Sequence, residues 1–423
     1  MAASQRFHRN AASGSRIGRA AVGMTRILAS RGALSRRAAL GGFAALGALR
    51  ANAQGTSLAL PKSPVTFTVL DVGGALQLCR PAVDQYAKDH PELVSNVVYS
   101  QAPATEIAGK LKAQQAAGRI DISLVLAGTD ALADGVAQNL WEPLLPAHQD
   151  ALPNLRQDAY QEPAWGMQML AKGHGVCFSY SPAGPLLAYM PSAVPTPPRT
   201  VEELLDWARQ HPGRYFYSRP NGSFPGRNFM QGLPYMIGDK DPKDPRNGWD
   251  KTWAYLEELG KTIDYYPNGT AAMIREFAQG SRDIVPSTVG WDFNPRALGV
   301  VPKEAMVTTF KNFRWITDAD YMAVPRGADS AQLAVALNFL NYMLTPPAQA
   351  FVYDNGYSYP GPSIKDVPLS LATKETQAVF KEFSRPELDK LIAEVPKETQ
   401  LGPEMMHYML DRWDRQIGSK VGR

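Results

Sequence analysis

Two α/β lobes, each a mainly parallel sheet flanked by helices and joined to the other by crossover strands, are the fold this sequence predicts. Three observations predict it. Strand and helix signals alternate with short connections from residue 65 onward, as parallel strands with helical crossovers require. Several strand runs are apolar throughout, which a sheet covered on both faces demands. The alternation breaks at a Pro-rich stretch after Trp141 and then starts anew, in a chain of 423 residues that can bury two medium-sized cores.

The first lobe opens with the β-branched run Val65 to Leu70, the turn Gly73-Gly74 and a helical pattern over 75–89 that His90-Pro91 ends. Val94 to Tyr99 predicts a second strand, 104–117 a helix with Ile107 and Leu111 on one face, and Ile120 to Leu126 a third strand. Gly175 to Tyr180 is the expected first crossing between lobes. Thr200 and Glu203 stand at the two positions of a capping box, opening a helix that holds Leu204, Leu205 and Trp207. Further strands are expected at Arg214 to Ser218, Thr262 to Tyr266 and Ile284 to Val289, with helices near Asn228, from about Trp249 to Gly260 and over 271–279. Tyr321 to Pro325 is the expected return crossing, followed by an amphipathic helix over 331–344 and two more helical segments. The resulting boundaries are 54–180 for the first part of lobe 1, 181–320 for lobe 2, and 321–423 for the return to lobe 1 and the C-terminal helices.

Charge sets residues 1–53 apart, because nine arginines and no lysine lie there and the first acidic residue is Asp71. Ser35-Arg36-Arg37 leads into a weakly apolar run from Gly41 to Leu49, and Ala51-Asn52-Ala53 has the A-x-A pattern of a cleavage site. The paired arginines resemble a twin-arginine export signal, with Ala39 where that signal usually carries an aromatic residue; ordinary Sec export is the rival. Arg50 breaks the apolar run well short of the roughly 20 residues a membrane span needs. Met24 is a second candidate start. Removing the segment leaves 35 of the 44 basic residues against all 40 acidic ones, a net charge near −5. That balance excludes nucleic acid as a partner, since its binding rests on clustered Lys and Arg. No cysteine lies near the cleavage site to carry a lipid anchor, and Cys79 and Cys177 read as two buried thiols.

Four stretches carry a resemblance. Gly118-Arg119-Ile120-Asp121-Ile122, Thr200 to Trp207, Tyr321 to Ala328 (YMAVPRGA) and Ala331 to Pro360 are similar to stretches of the family 1 extracellular solute-binding proteins, and the likeness covers nearly all of the mature chain. Arg214 to Phe229 resembles a poorly characterised, polyamine-like branch of them. The resemblance implies a type II-like periplasmic binding protein fold with ligand in the interlobe cleft. It further implies delivery to the permease of an ABC transporter and through it to an ATPase, a periplasmic location, a monomer, and no cofactor or metal.

Candidate ligand residues sit where strands end and helices begin, since open α/β sheets bind ligands there. Gly73 and Gly74 expose amides after the first strand, with a plain tight turn as the alternative. Thr129 and Asp130 follow the third strand, where either serves equally as a helix cap. Tyr180 stands at the first crossing, and Ser223 and Arg227 on a loop into a second-lobe helix. Trp291 and Asp292 follow the strand at Ile284, a flat apolar face beside a charge, suited to an organic cation. Asp318 and Asp320 precede the return strand. A polyamine or similar cation is the first expectation from the acidic mature charge and the aromatic residues; an anion held by helix N-termini with Arg219 or Arg227 is the second. A thiaminase-like enzyme with Cys177 as nucleophile is opposed by the placement of His174, three residues away and on the opposite face of a strand. A ferric-ion site would use Tyr265-Tyr266 or Tyr357 and Tyr359, while the six histidines lack ligand spacing.

Overall fold

β1 (Val65–Asp71) lies between β2 (Val94–Gln101) and β3 (Leu124–Gly128), parallel to both, in the computed structural model, which describes residues 58–420. The expected export segment falls outside the described residues. α1 (Leu76–Asp89) and α2 (Ala104–Ala116) make the crossovers, and α3 (Thr129–Ala137) follows β3 without a loop. The third strand starts later than the apolar run predicts. Ser123 is the reason: its N–H donates to the Thr68 carbonyl at 2.9 Å, and its hydroxyl oxygen accepts from the Thr68 N–H at 3.1 Å, so a side chain takes a ladder position.

α4 (Glu162–Leu170) leads into β4 (Val176–Gly184), the first crossing, and β5 (Leu186–Tyr189) carries the chain into the second lobe with only Pro185 between them. There α5 (Val201–Gln210) opens on the expected capping box, with Glu203 N–H to Thr200 Oγ1 at 3.1 Å and Thr200 N–H to Glu203 Oε2 at 3.2 Å. α6 (Phe224–Ile237), α7 (Asp250–Gly260) and α8 (Thr270–Ala278) precede β6 (Ile284–Ser287), which passes into α9 (Val289–Ala297). β7 (Met306–Thr309) completes a three-stranded sheet with β5 at its centre, antiparallel to both neighbours.

β8 (Trp315–Ala323) returns between β3 and β4, antiparallel to each. A chain that leaves along one strand and returns beside it must run antiparallel there. The first sheet, ordered β2-β1-β3-β8-β4 and then β9 (Gly361–Pro362), is therefore mixed rather than mainly parallel. The second also departs from the expected direction. Residues 214–218 and 262–266 run alongside one another, tied by Gly213 N–H to Thr262 O and Arg219 N–H to Pro267 O, both at 3.0 Å, yet only Tyr215 bridges to a strand, at Ile284. Tyr215, Phe216 and Tyr217 are all fully buried, so their strand-like composition serves packing on both sides instead of a ladder.

After the return, α10 (Ser330–Met343) adds Leu333, Leu337, Phe339 and Leu340 to the first core, and α11 (Pro346–Gln349) and β9 (Gly361–Pro362) close that lobe. α12 (Lys374–Phe383) packs Phe380 and Phe383 on Phe293 of α9. α13 (Pro386–Glu394), β10 (Lys397–Glu398) and α14 (Pro403–Trp413) end the chain, and Leu388, Met406, Met409 and Trp413 belong to the second core. The two cores thus meet at β4 and β8.

Candidate functional site

Between the lobes lies a cleft of about 830 Å³, large enough for a small organic molecule. Helix starts dominate its wall. Gly74 precedes α1, Pro103 and Gly128 are the N-caps of α2 and α3, Phe224 opens α6, Gly269 is the N-cap of α8, and Trp291 sits in the first turn of α9; all line the cavity. The arrangement follows from strands of each lobe that point their carboxyl ends at the gap.

Two arginines and two aspartates are the charged residues among those lining the cleft, and they pair off. Arg227, fully buried on α6, donates through Nη1 to Asp130 Oδ2 on α3 at 3.1 Å and to the Pro220 carbonyl at 3.3 Å. This ion pair spans the two lobes. Arg219 at the rim donates to Asp414 Oδ1 at 3.1 Å. Behind Arg227, on the crossover strand β8, lie Asp318 and Asp320, both buried. Asp318 Oδ2 stands 3.8 Å from Arg227 Nη2, and its other oxygen accepts from Thr129 Oγ1 at 3.3 Å and from Gln400. Burial raises the Asp318 carboxyl to about 6, with Arg227 opposing the shift. Asp320 is pushed up to about 7 by burial, although the Ser179 and Ser358 hydroxyls donate to its Oδ2 at 2.6 and 3.1 Å.

Of the residues singled out by sequence, Gly73, Gly74, Asp130, Arg227 and Trp291 come together at the cleft; Thr129, Tyr180, Ser223 and Asp292 do not line it. Gly73 and Gly74 line the cavity but do not offer their amides, which donate to Asp71 Oδ1 at 3.2 and 2.8 Å. Gly73 has a packing duty, since a Cβ there would stand 2.7 Å from Gly128 N. Tyr180 is turned away, its hydroxyl donating to Gln161 Oε1 at 2.9 Å. Ser223 caps α6 through the Gly226 N–H at 3.2 Å, its hydroxyl 3.0 Å from Thr270 Oγ1. Asp292 is the main departure. The strand at Ile284 stops at Ser287 and Thr288 caps α9, so Asp292 turns inward and meets Arg296 at 2.7 Å and Arg385 at 2.8 Å. A carboxylate held by two guanidiniums has no capacity left for a ligand cation.

Tyr357 and Phe224 complete the aromatic lining, Tyr357 meeting Trp291 edge-on at 5.7 Å between ring centres. Sequence reasoning named Tyr357 only as a candidate iron ligand and passed over Phe224, along with Asn221, the Asn268 to Ala271 helix start and Asp414. The Asn268-Gly269-Thr270 turn just before a helical pattern was the one available signal. Of the four candidate iron-binding tyrosines only Tyr357 is among the residues lining the cleft; Tyr266 packs on Trp413, and Tyr359 stacks on Phe293. Among the described residues, no group of three His, Cys, Asp or Glu is placed to hold a metal. Cys79 and Cys177 are free and buried, and burial drives the Cys177 thiol well above its ordinary range, the reverse of an activated nucleophile.

Solved structures with the same fold include an ABC transporter protein from Clostridium perfringens (14% identity, TM-score 0.60, covering 84% of this chain and 100% of that one). A periplasmic thiamin binding protein (15%, 0.57, 85% and 99%) and a putative spermidine/putrescine ABC transporter protein from Listeria monocytogenes (16%, 0.55, 85% and 99%) are also similar. No curated protein sequence matches. Among the described residues no helix is long and apolar enough to cross a membrane. The family model for bacterial extracellular solute-binding proteins matches residues 81–381, well over half of the sequence, and the chain belongs to that family.

Proposed function

We propose that the protein captures a small organic solute in the interlobe cleft, outside the cytoplasm, and hands it to the permease of an ABC importer. The observation that carries this reading is the cleft itself: about 830 Å³, with Asp130 and Tyr357 from one lobe facing Arg219, Arg227 and Trp291 from the other, across two crossover strands. Ligand held by both lobes favours the shut state over the open one. A ligand at 100 times its Kd is expected to stabilise the protein by about 2.7 kcal/mol, a rise in Tm of about 3–6 °C, and to shrink the radius of gyration in small-angle scattering. Thermal shift without contraction would point to a surface site and sink the reading.

The polyamine or other organic cation expected from the sequence has less support in the cleft, because Asp130 and Asp414 already pair with arginines and Asp292 with two. Export belongs to the same proposal. Changing Arg36 and Arg37 together to Lys is expected to leave the precursor in the cytoplasm, read by cell fractionation; unchanged export would assign the route to Sec.

A further inference from the structure

We infer that the cleft takes an organic anion, a carboxylate or phosphate group on an apolar body; the inference rests on the solute-binding reading above. Six helices start at the cavity, and they fall into two sets. At α1 the Ala75 and Leu76 amides donate to Asp71, and at α6 and α9 one opening amide each, of Gly226 and Trp291, donates to Ser223 and Thr288. α2, α3 and α8 begin at Pro103, Gly128 and Gly269 without a side-chain cap, although the Glu106 N–H of α2 donates to the Pro103 carbonyl at 3.0 Å, and these three residues line the cavity. The opening amides of a helix have no partner within it and carry the positive end of its dipole, so uncapped starts facing a cavity are waiting donors.

Arg227 is the independent second observation. It is among the residues lining the cleft and is fully buried, its guanidinium 4.9 Å over the ring of Phe224; Nε and Nη2 find no hydrogen-bond acceptor among the described residues, Nη2 facing Asp318 Oδ2 at 3.8 Å. Open donors on a buried guanidinium are costly unless something fills them. The contact of Ser223 Oγ with Thr270 Oγ1 at 3.0 Å ties the first turn of α6, which carries Arg227, to the first turn of α8. One anion can therefore meet the arginine and an open helix start together. The pairs Arg227–Asp130 and Arg219–Asp414 neutralise both signs equally, so the preference for an anion rests on the open helix starts and the unfilled Arg227 donors. Phe224, Trp291 and Tyr357, in a cavity of about 830 Å³, call for an apolar body rather than a bare inorganic ion.

The test titrates the purified protein with phenyl phosphate, benzoate, inorganic phosphate, benzylamine and spermidine by calorimetry. One or both aromatic anions are expected to bind at least about 10-fold more tightly than either amine and than inorganic phosphate, on charged hydrogen-bond magnitudes. Whichever anion is preferred separates phosphate from carboxylate chemistry. Arg227→Gln should weaken the anion most, with circular dichroism as the check on folding. Two milder variants keep the question open if that one misfolds. Arg219→Gln, at the rim, should weaken anions about 5- to 20-fold and strengthen spermidine, because it frees Asp414. Ala271→Pro removes an amide from the first turn of α8 as Pro225 does in α6, and should weaken anions about 3- to 10-fold while the helix persists. Spermidine binding without anion binding overturns the anion class and leaves solute capture standing. Inorganic phosphate binding as tightly as phenyl phosphate overturns the organic body. Silence of every probe overturns the anion class, while solute capture stands or falls on the scattering test above.

Discussion

Replacing Asp292 by Asn is expected to lower stability by about 3–5 kcal/mol, as removal of one partner from a buried ion pair does. Both carboxylate oxygens are used: Oδ2 accepts from Arg296 Nη2 at 2.7 Å and Arg385 Nε at 2.8 Å, and Oδ1 from Arg296 Nε at 3.1 Å and Arg385 Nη2 at 3.0 Å. The two guanidiniums go on to the carbonyls of Phe383 at 3.0 Å and Ala305 at 2.7 Å, so one aspartate anchors α9 to the junction of α12 and α13. An amide in its place turns an NH₂ toward two buried cations. The variant should therefore fail in urea denaturation before any ligand is added, whatever the ligand's charge. Trp291, one residue earlier, provides the contrast, since it faces the cleft and its truncation should weaken ligand binding with native stability. An Asp292→Asn midpoint within 1 kcal/mol of wild type would show that the three-way pair is idle.

Neighbours with opposite duties mark the limit of what the sequence discloses. Periodicity placed α1, α2, α7 and α10 within a residue or two, because an amphipathic helix advertises its buried face. The capping box at Thr200 was legible for the same reason: two polar side chains at fixed spacing serve the backbone beside them. Strand pairing is not local, and the runs at Arg214 and Thr262 show the consequence, extended and buried but without a ladder. Arg227, Asp130 and Trp291 were found because helix starts near strand ends are where such folds expose amides and side chains. Asp292 was misassigned because a strand was expected up to Val289, so the i, i+4 spacing to Arg296 on α9 went unread, and its second partner, Arg385, lies 93 residues away. Asp414 reaches the cleft from the far end of α14, a placement that depends on how the C-terminal helices pack.

Stability should fall as pH rises from 5 to 8, and Asp320 should be the main cause. Its carboxyl is fully buried on the crossover strand, with Asp318 two residues along the same strand and Asp71 adding negative charge, so the neutral form is favoured and its pKa rises from an ordinary 3.8 to about 7. Ser179 and Ser358 donate to one oxygen, while Oδ1 has no partner among the described residues. In the unfolded chain the same group ionises near pH 4. Between those two values folding takes up a proton, which makes the folded state more stable at the acid end, and above pH 7 the penalty of burying the ionised group is complete. Asp318, raised to about 6, acts in the same direction, held lower by Arg227. The folded state should gain on the order of 2–4 kcal/mol between pH 8 and pH 5 from these two groups. Asp320→Asn keeps an oxygen for the two serine hydroxyls and cannot ionise, so its urea midpoint should change less over that range and equal or exceed wild type at pH 8. Parallel pH profiles for the two proteins would mean that Asp320 stays charged in the fold, and that β4 and β8 cross between the lobes with a buried carboxylate at no cost.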